Sequence, residues 1–148
     1  MLMLLKANDI RIMRIEQQYT GSCLCGAVCY EINGPIGEIV ECHCSRCRKA
    51  NGTAYATNAP IAKADFKIVS GEQVLKKFQS SPTTQRCFCG ECGSPIMSIK
   101  ADTPDYYRLR IGTLDTPIQQ VPVCHIFVSS KAEWDSIHDD LPQYAERP

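Results

Sequence analysis

The sequence predicts a mainly β domain with one or two short helical turns. Three observations lead there. Runs rich in β-branched and aromatic residues are short, and turn residues such as Gly, Pro, Asn and Ser separate them. No stretch carries a long amphipathic helical period, and no low-complexity run or linker divides the chain. Eight of the ten cysteines fall in three tight clusters, the spacing of zinc ligand sets. At 148 residues the chain has the length of one domain, enough to bury about 70% of its extended-chain surface.

Residues 1–19 read as a lead-in, a strand or disordered chain, and residues 20–148 as a single domain. Met1 to Leu5 is apolar but stops at Lys6. It is too short for a signal-peptide core and lacks a small-residue cleavage site. Gly21 opens the first cluster, Cys23-Leu24-Cys25. Val28 to Ile32 is a strand closed by the turn Asn33-Gly34-Pro35, and Ile39 to Cys42 is a strand leading into the second cluster. Ser45 is the expected N-cap of a short helix over Arg46 to Ala50, which Asn51-Gly52 stops. Strands follow at Thr53 to Asn58, Phe66 to Val69, Val74 to Gln79 and Thr84 to Phe88, the last leading into Cys87-Phe88-Cys89-Gly90-Glu91-Cys92. Pro95 to Lys100, Tyr106 to Ile111 and Val123 to Ser129 are further strands. Lys131 to His138 reads as a short helix, and Leu141 to Tyr144 as a surface tail.

Zinc takes four ligands in a tetrahedron, so two sulfurs on one ion lie about 3.8 Å apart. Strand residues i and i+2 share a face and can tilt onto one ion, and C-x-x-C forms a knuckle in which Gly90 and Gly93 permit tight backbone. The pattern C-x-C-x-x-C occurs twice, at Cys42, Cys44, Cys47 and at Cys87, Cys89, Cys92. Disulfides fit poorly, because a C-x-C pair closes almost no loop. Cys29 lies too far along its strand from Cys25 to share its ion, and Cys124 stands alone. Both read as free, buried cysteines. Eight thiols then remain. They make either two closed four-sulfur sites or one closed site and one three-cysteine site open to substrate, and spacing leaves both open because Cys87 can serve as an eighth ligand.

The chain resembles the glutathione-dependent formaldehyde-activating enzyme family, which includes centromere protein V. The resemblance rests on Gly21-Ser22-Cys23-Leu24-Cys25-Gly26-Ala27-Val28, on Cys42-His43-Cys44-Ser45-Arg46-Cys47-Arg48-Lys49 and on Phe88-Cys89-Gly90-Glu91-Cys92-Gly93-Ser94. His125-Ile126-Phe127-Val128, Ser130-Lys131-Ala132 and Asp140-Leu141-Pro142 extend it, so that it runs from Thr20 to Tyr144. It implies a zinc-bound β-tent of small antiparallel sheets and two zincs per chain. It also implies a structural zinc on Cys23, Cys25, Cys89 and Cys92, and a catalytic zinc on Cys42, Cys44 and Cys47. The implied activity is that of a carbon–sulfur lyase or synthase, joining glutathione and formaldehyde into S-hydroxymethylglutathione. Cys87 departs from the family pattern.

Arg48 and Lys49 stand beside the trio and are candidate glutathione contacts; Arg86 reads as charge balance. His43 points away from the face of Cys42 and Cys44, which suggests a supporting role, and His125 reads as a packed core histidine. Phe127, Trp134 and Tyr144 read as packing residues. Sixteen basic and sixteen acidic residues cancel, so no overall charge draws the chain to nucleic acid or an anionic membrane, although a local patch is compatible with that balance. No run of 18 apolar residues exists for a membrane span, and a reducing cytoplasm suits metal-held thiolates. The partners expected are a small-molecule thiol and an aldehyde. The alternatives are a non-catalytic zinc module that binds protein, and a thiol-redox protein, which metal-held sulfurs disfavour.

Overall fold

The computed structural model describes residues 17–148. Ten strands and one short α-helix follow one another as β1 (Gln18–Ser22), β2 (Cys29–Asn33), β3 (Ile39–Cys42), α1 (Ser45–Asn51), β4 (Ala56–Ala62), β5 (Phe66–Ser70), β6 (Leu75–Ser81), β7 (Thr84–Cys89), β8 (Pro95–Lys100), β9 (Tyr106–Arg110) and β10 (Pro122–Ile126). The mainly β expectation holds. A three-stranded sheet runs β1-β2-β5, and a seven-stranded sheet runs β10-β3-β4-β9-β8-β7-β6. Every pairing is antiparallel except that of β10 with β3.

Strand alternation gives the larger sheet two unlike faces. Ala59 and Ile61 of β4, Leu109 of β9, Met97 of β8 and Cys87 of β7 turn inward, and with Tyr30 and Ile32 of β2 they form the main core. The register places Leu109 beside both Ala59 and Met97, and Met97 beside Cys87, so this face is continuous across four strands. The other face carries Asn58, Arg110, Arg108, Ser98 and Arg86, also in register. It borders a cavity instead of the core.

Most of the lead-in, residues 1–16, lies outside the described residues, but β1 begins at Gln18 and pairs with β2 from Gln18↔Asn33 to Ser22↔Cys29. Three sequence expectations need correction. The strand expected over 53–58 runs instead from Ala56 to Ala62 and contains Pro60. Proline is tolerated there because the β3 ladder ends at Asn58; beyond it Ile61 makes an isolated bridge to Ile36, and the Pro60 carbonyl, not its nitrogen, is used, accepting from the Gly37 amide at 2.9 Å. The strand expected to reach Ser129 ends at Ile126, where Phe127 adopts a left-handed φ of 56°. No helix forms over 131–138. Lys131 Nζ donates to the carbonyls of Ala132 and Asp135, and Asp139 Oδ1 accepts from the Leu141 amide at 2.9 Å, which holds the segment in turns. Trp134 in this segment is 73% exposed, whereas Phe127 and Tyr144 do pack, against a second small cluster around Cys42 and Cys47.

Candidate metal centres and a cationic cavity

Two loops and one strand end bring four sulfurs together. Cys23 and Cys25 follow β1, Cys89 ends β7, and Cys92 lies in the turn before β8. All four Sγ atoms lie within 4.8 Å of one another, with Cys23 to Cys25 at 3.6 Å and Cys25 to Cys89 at 3.8 Å. These are far beyond a disulfide bond of about 2.05 Å, and they match the edge of about 3.8 Å expected on a tetrahedral zinc. The knuckle closes through Gly93, whose amide bonds the Cys89 carbonyl at 2.8 Å and whose φ of +79° suits glycine. The Val28 amide donates to Cys23 Sγ at 3.2 Å. The Ser94 hydroxyl and amide, followed by the Cys25 backbone, hold the Cys92 thiol down to about 5. Backbone amide donors of this kind stabilise thiolates, the form that binds metal.

Cys42, Cys44 and Cys47 form the second group, again with all Sγ atoms within 4.8 Å. Cys42 ends β3 and Cys47 sits in α1. Cys44, and not the expected Ser45, is the N-cap: its Sγ accepts from the Cys47 amide at 3.3 Å. Gly52 closes α1 in the left-handed conformation, φ 64°, as the sequence suggested. Hydrogen bonds from Cys42 and Cys47 hold the Cys44 thiol far below its usual range, and the same sharing pushes Cys42 up. Arg86 Nη2 lies 4.0 Å from Cys47 Sγ, so β7 turns its Arg86 face toward this trio. Strand alternation then sends Cys87 the other way. It is 1% exposed in the main core and belongs to neither sulfur group.

The trio opens on a cavity of about 720 Å³. Arg46, Arg86, Lys100, Arg108, Arg110 and Arg147 line it, against a single acid, Glu38. The neutral chain therefore concentrates cations at one place. Arg110 is the deepest of them, 6% exposed. Its Nη1 donates to Asn58 Oδ1 and to the Arg108 carbonyl, the latter at 3.2 Å. Burial pulls its pKa down, while the Cys47 thiol favours its charge. Arg48 and Lys49 lie elsewhere: neither lines the cavity, and Arg48 Nη2 donates to the Ser130 carbonyl at 3.2 Å.

Residues 18–130 match the sequence family described as glutathione-dependent formaldehyde-activating enzyme. The chain belongs to this family. Proteins of Aspergillus flavus and Aspergillus oryzae that carry the name "Putative glutathione-dependent formaldehyde-activating enzyme" are each 25% identical to it over 125 residues, which is 83% of this chain. The chain spans 56% of the length of these curated relatives. A crystal structure of a Rhodobacter sphaeroides protein superimposes with a TM-score of 0.58 at 26% identity, covering 68% of this chain and 91% of that one.

In this family member, the reverse side of β3 carries a polar network behind the trio. His43 is 0% exposed, and its Nε2 lies 2.9 Å from His125 Nδ1. His125 Nδ1 is also 3.1 Å from Glu41 Oε2, and its Nε2 is 3.0 Å from Asp139 Oδ1. Burial lowers the His43 pKa and raises that of Glu41. Glu41, His43 and His125 are themselves close enough to hold a metal ion, but their short contacts are those of a hydrogen-bonded chain. Sequence reasoning missed the cavity residues Asn58, Arg108 and Arg110, and it read Arg86 as charge balance alone. One local signal was present: in Tyr107-Arg108-Leu109-Arg110, two cations alternate with an apolar residue, the mark of a strand with one charged face. No helix among the described residues is long and apolar enough to cross a membrane.

Proposed function

We propose that this chain is a zinc-dependent carbon–sulfur lyase or synthase, adding a glutathione-like thiol to formaldehyde or another small aldehyde. The observation that carries this reading is the three-sulfur group in the lining of a cation-rich cavity, separate from a four-sulfur group. Cys23, Cys25, Cys89 and Cys92 would hold a structural zinc, and Cys42, Cys44 and Cys47 a second zinc. Zinc at the trio would supply Lewis acidity that keeps an incoming thiol ionised near neutral pH.

The chain's own residues do the rest. A cavity of about 720 Å³ is ample for a tripeptide thiol together with a small aldehyde. Arg86, 4.0 Å from Cys47 Sγ, offsets the negative charge that three thiolates and a fourth sulfur bring together. Lys100, Arg108 and Arg147 meet the carboxylates of the tripeptide and fix its orientation. The His43–His125 network stiffens the backbone that carries Cys42 and Cys44. A reducing compartment such as the cytoplasm keeps these thiols available.

The test is formation of the glutathione–formaldehyde adduct, measured against the spontaneous reaction. Zinc-loaded protein should raise the rate in proportion to its concentration, and millimolar glutathione should bind. A rate equal to the spontaneous one, with no glutathione binding, leaves a non-catalytic zinc module as the better reading.

A further inference from the structure

The cavity holds one deeply buried guanidinium, and its hydrogen bonding is half complete. Arg110 is 6% exposed, and its bonds to Asn58 and to the Arg108 carbonyl both use Nη1. Its Nε is buried and has no partner. Among the described residues no carboxylate pairs with it, since every ion pair there involves His43 or His125. A buried, unpaired donor on a charged group is costly, and such a group marks a place where a ligand completes the set. Nη2 makes no hydrogen bond and, unlike Nε, is not shut away from the cavity, so it is the donor a carboxylate can reach. Arg110 faces the same cavity as the trio, and the charges of Cys47, Cys42 and Cys44 act on it.

We propose that Arg110, through Nη2, receives a carboxylate carried by the carbonyl substrate, so that the chain acts on aldehydes bearing a carboxylate beside the carbonyl in preference to formaldehyde. The inference rests on the trio as the place where the thiol sulfur is held. Formaldehyde has no group for Arg110 to bind. Glutathione's own carboxylates are several bonds from its sulfur, and Lys100, Arg108 and Arg147 remain for them. An aldehyde with an adjacent carboxylate places its anion next to the reacting carbon. The sulfur lone pair forms the carbon–sulfur bond, the carbonyl π pair moves to oxygen, and oxygen takes up the proton the thiol released. Nothing is oxidised or reduced. The carboxylate bound by Arg110 fixes which face of the carbonyl meets the sulfur.

The competing role for Arg110 is to offset thiolate charge, which a lysine would do as well. Glyoxylate and formaldehyde are compared as substrates with glutathione, each above its spontaneous rate, in wild type, Arg110→Lys and Asn58→Asp. Asn58→Asp keeps Arg110 but gives it a carboxylate partner within the protein. Binding of glycolate, an unreactive analogue, is measured by calorimetry on the zinc-loaded protein. Wild type should prefer glyoxylate in kcat/KM. Both variants should lower the glyoxylate-to-formaldehyde ratio about tenfold and weaken glycolate similarly, the size of one lost charge-assisted pair. A ratio and a glycolate affinity unmoved in both variants would overturn the proposal, as would a wild type that prefers formaldehyde. If neither aldehyde reacts above background but glycolate binding still depends on Arg110, the enzymatic reading fails and the carboxylate site stands.

Discussion

Cys87 is the residue on which the two sulfur groups could have been confused. It shares the C-x-C-x-x-C spacing with Cys89 and Cys92, yet it faces the core while Arg86 faces the trio. Cys87→Ala should therefore cost about 1 kcal/mol through the small cavity it leaves, with zinc content unchanged. Denaturant unfolding and metal analysis of that variant check this, and the loss of one zinc would contradict it. Tyr30 gives a second residue-scale test. It is 1% exposed and donates to or accepts from Thr113 Oγ1 at 2.7 Å, and burial pushes its phenol up to about 12 from 10. A pKa raised on folding stabilises only while the unfolded tyrosine is still protonated. The contribution is complete below pH 10 and is lost as pH rises through about 12. That loss is on the order of 2–3 kcal/mol, and it should be absent in Tyr30→Phe when stability is followed across that range.

Among the elements, the four-sulfur group ties the end of β1 to the β7–β8 turn, which belongs to the other sheet. The trio joins only β3 to α1, its neighbour in sequence. A link between sheets closes a long loop, whereas a local link closes a short one. Binding of a structural zinc is worth about 10–16 kcal/mol, comparable with the stability of a whole domain. Cys92→Ser should therefore unfold the protein at ambient temperature. Cys47→Ser should leave a folded protein with one zinc fewer and no glutathione-dependent activity. Circular dichroism and metal analysis of the pair separate the two sites. Equal unfolding in both variants would contradict the division. The elements also show why parts of the chain were legible beforehand. Each cysteine cluster and turn is a local signal, and spacing within a few residues survives folding. The end of β10 at Phe127 and the segment after Lys131 answer to contacts from other parts of the chain. Asp139, for example, reaches His125 across 14 positions.

At the scale of the molecule, the seven-stranded sheet divides the chemistry, with an apolar face on the core and a cationic face on the cavity. This is where sequence reading stopped short. Arg86, Arg108 and Arg110 sit on two different strands, and only the pairing of Arg86 with Ser98, and of Ser98 with Arg108, puts them on one face. Composition hid them too, because the chain's sixteen acids cancel its sixteen basic residues overall. The mainly β character and the clustering of the cysteines were visible without coordinates, whereas spacing alone left the division of the thiols open and the cavity that gives the trio its proposed role was hidden. The central claim is that a second metal on Cys42, Cys44 and Cys47 keeps room for an incoming sulfur. Zinc X-ray absorption on metal-loaded protein, before and after adding glutathione, tests it most directly. Two zincs per chain and a mean sulfur coordination that rises with glutathione are expected. A single zinc, or four sulfurs on every zinc before glutathione is added, would contradict it.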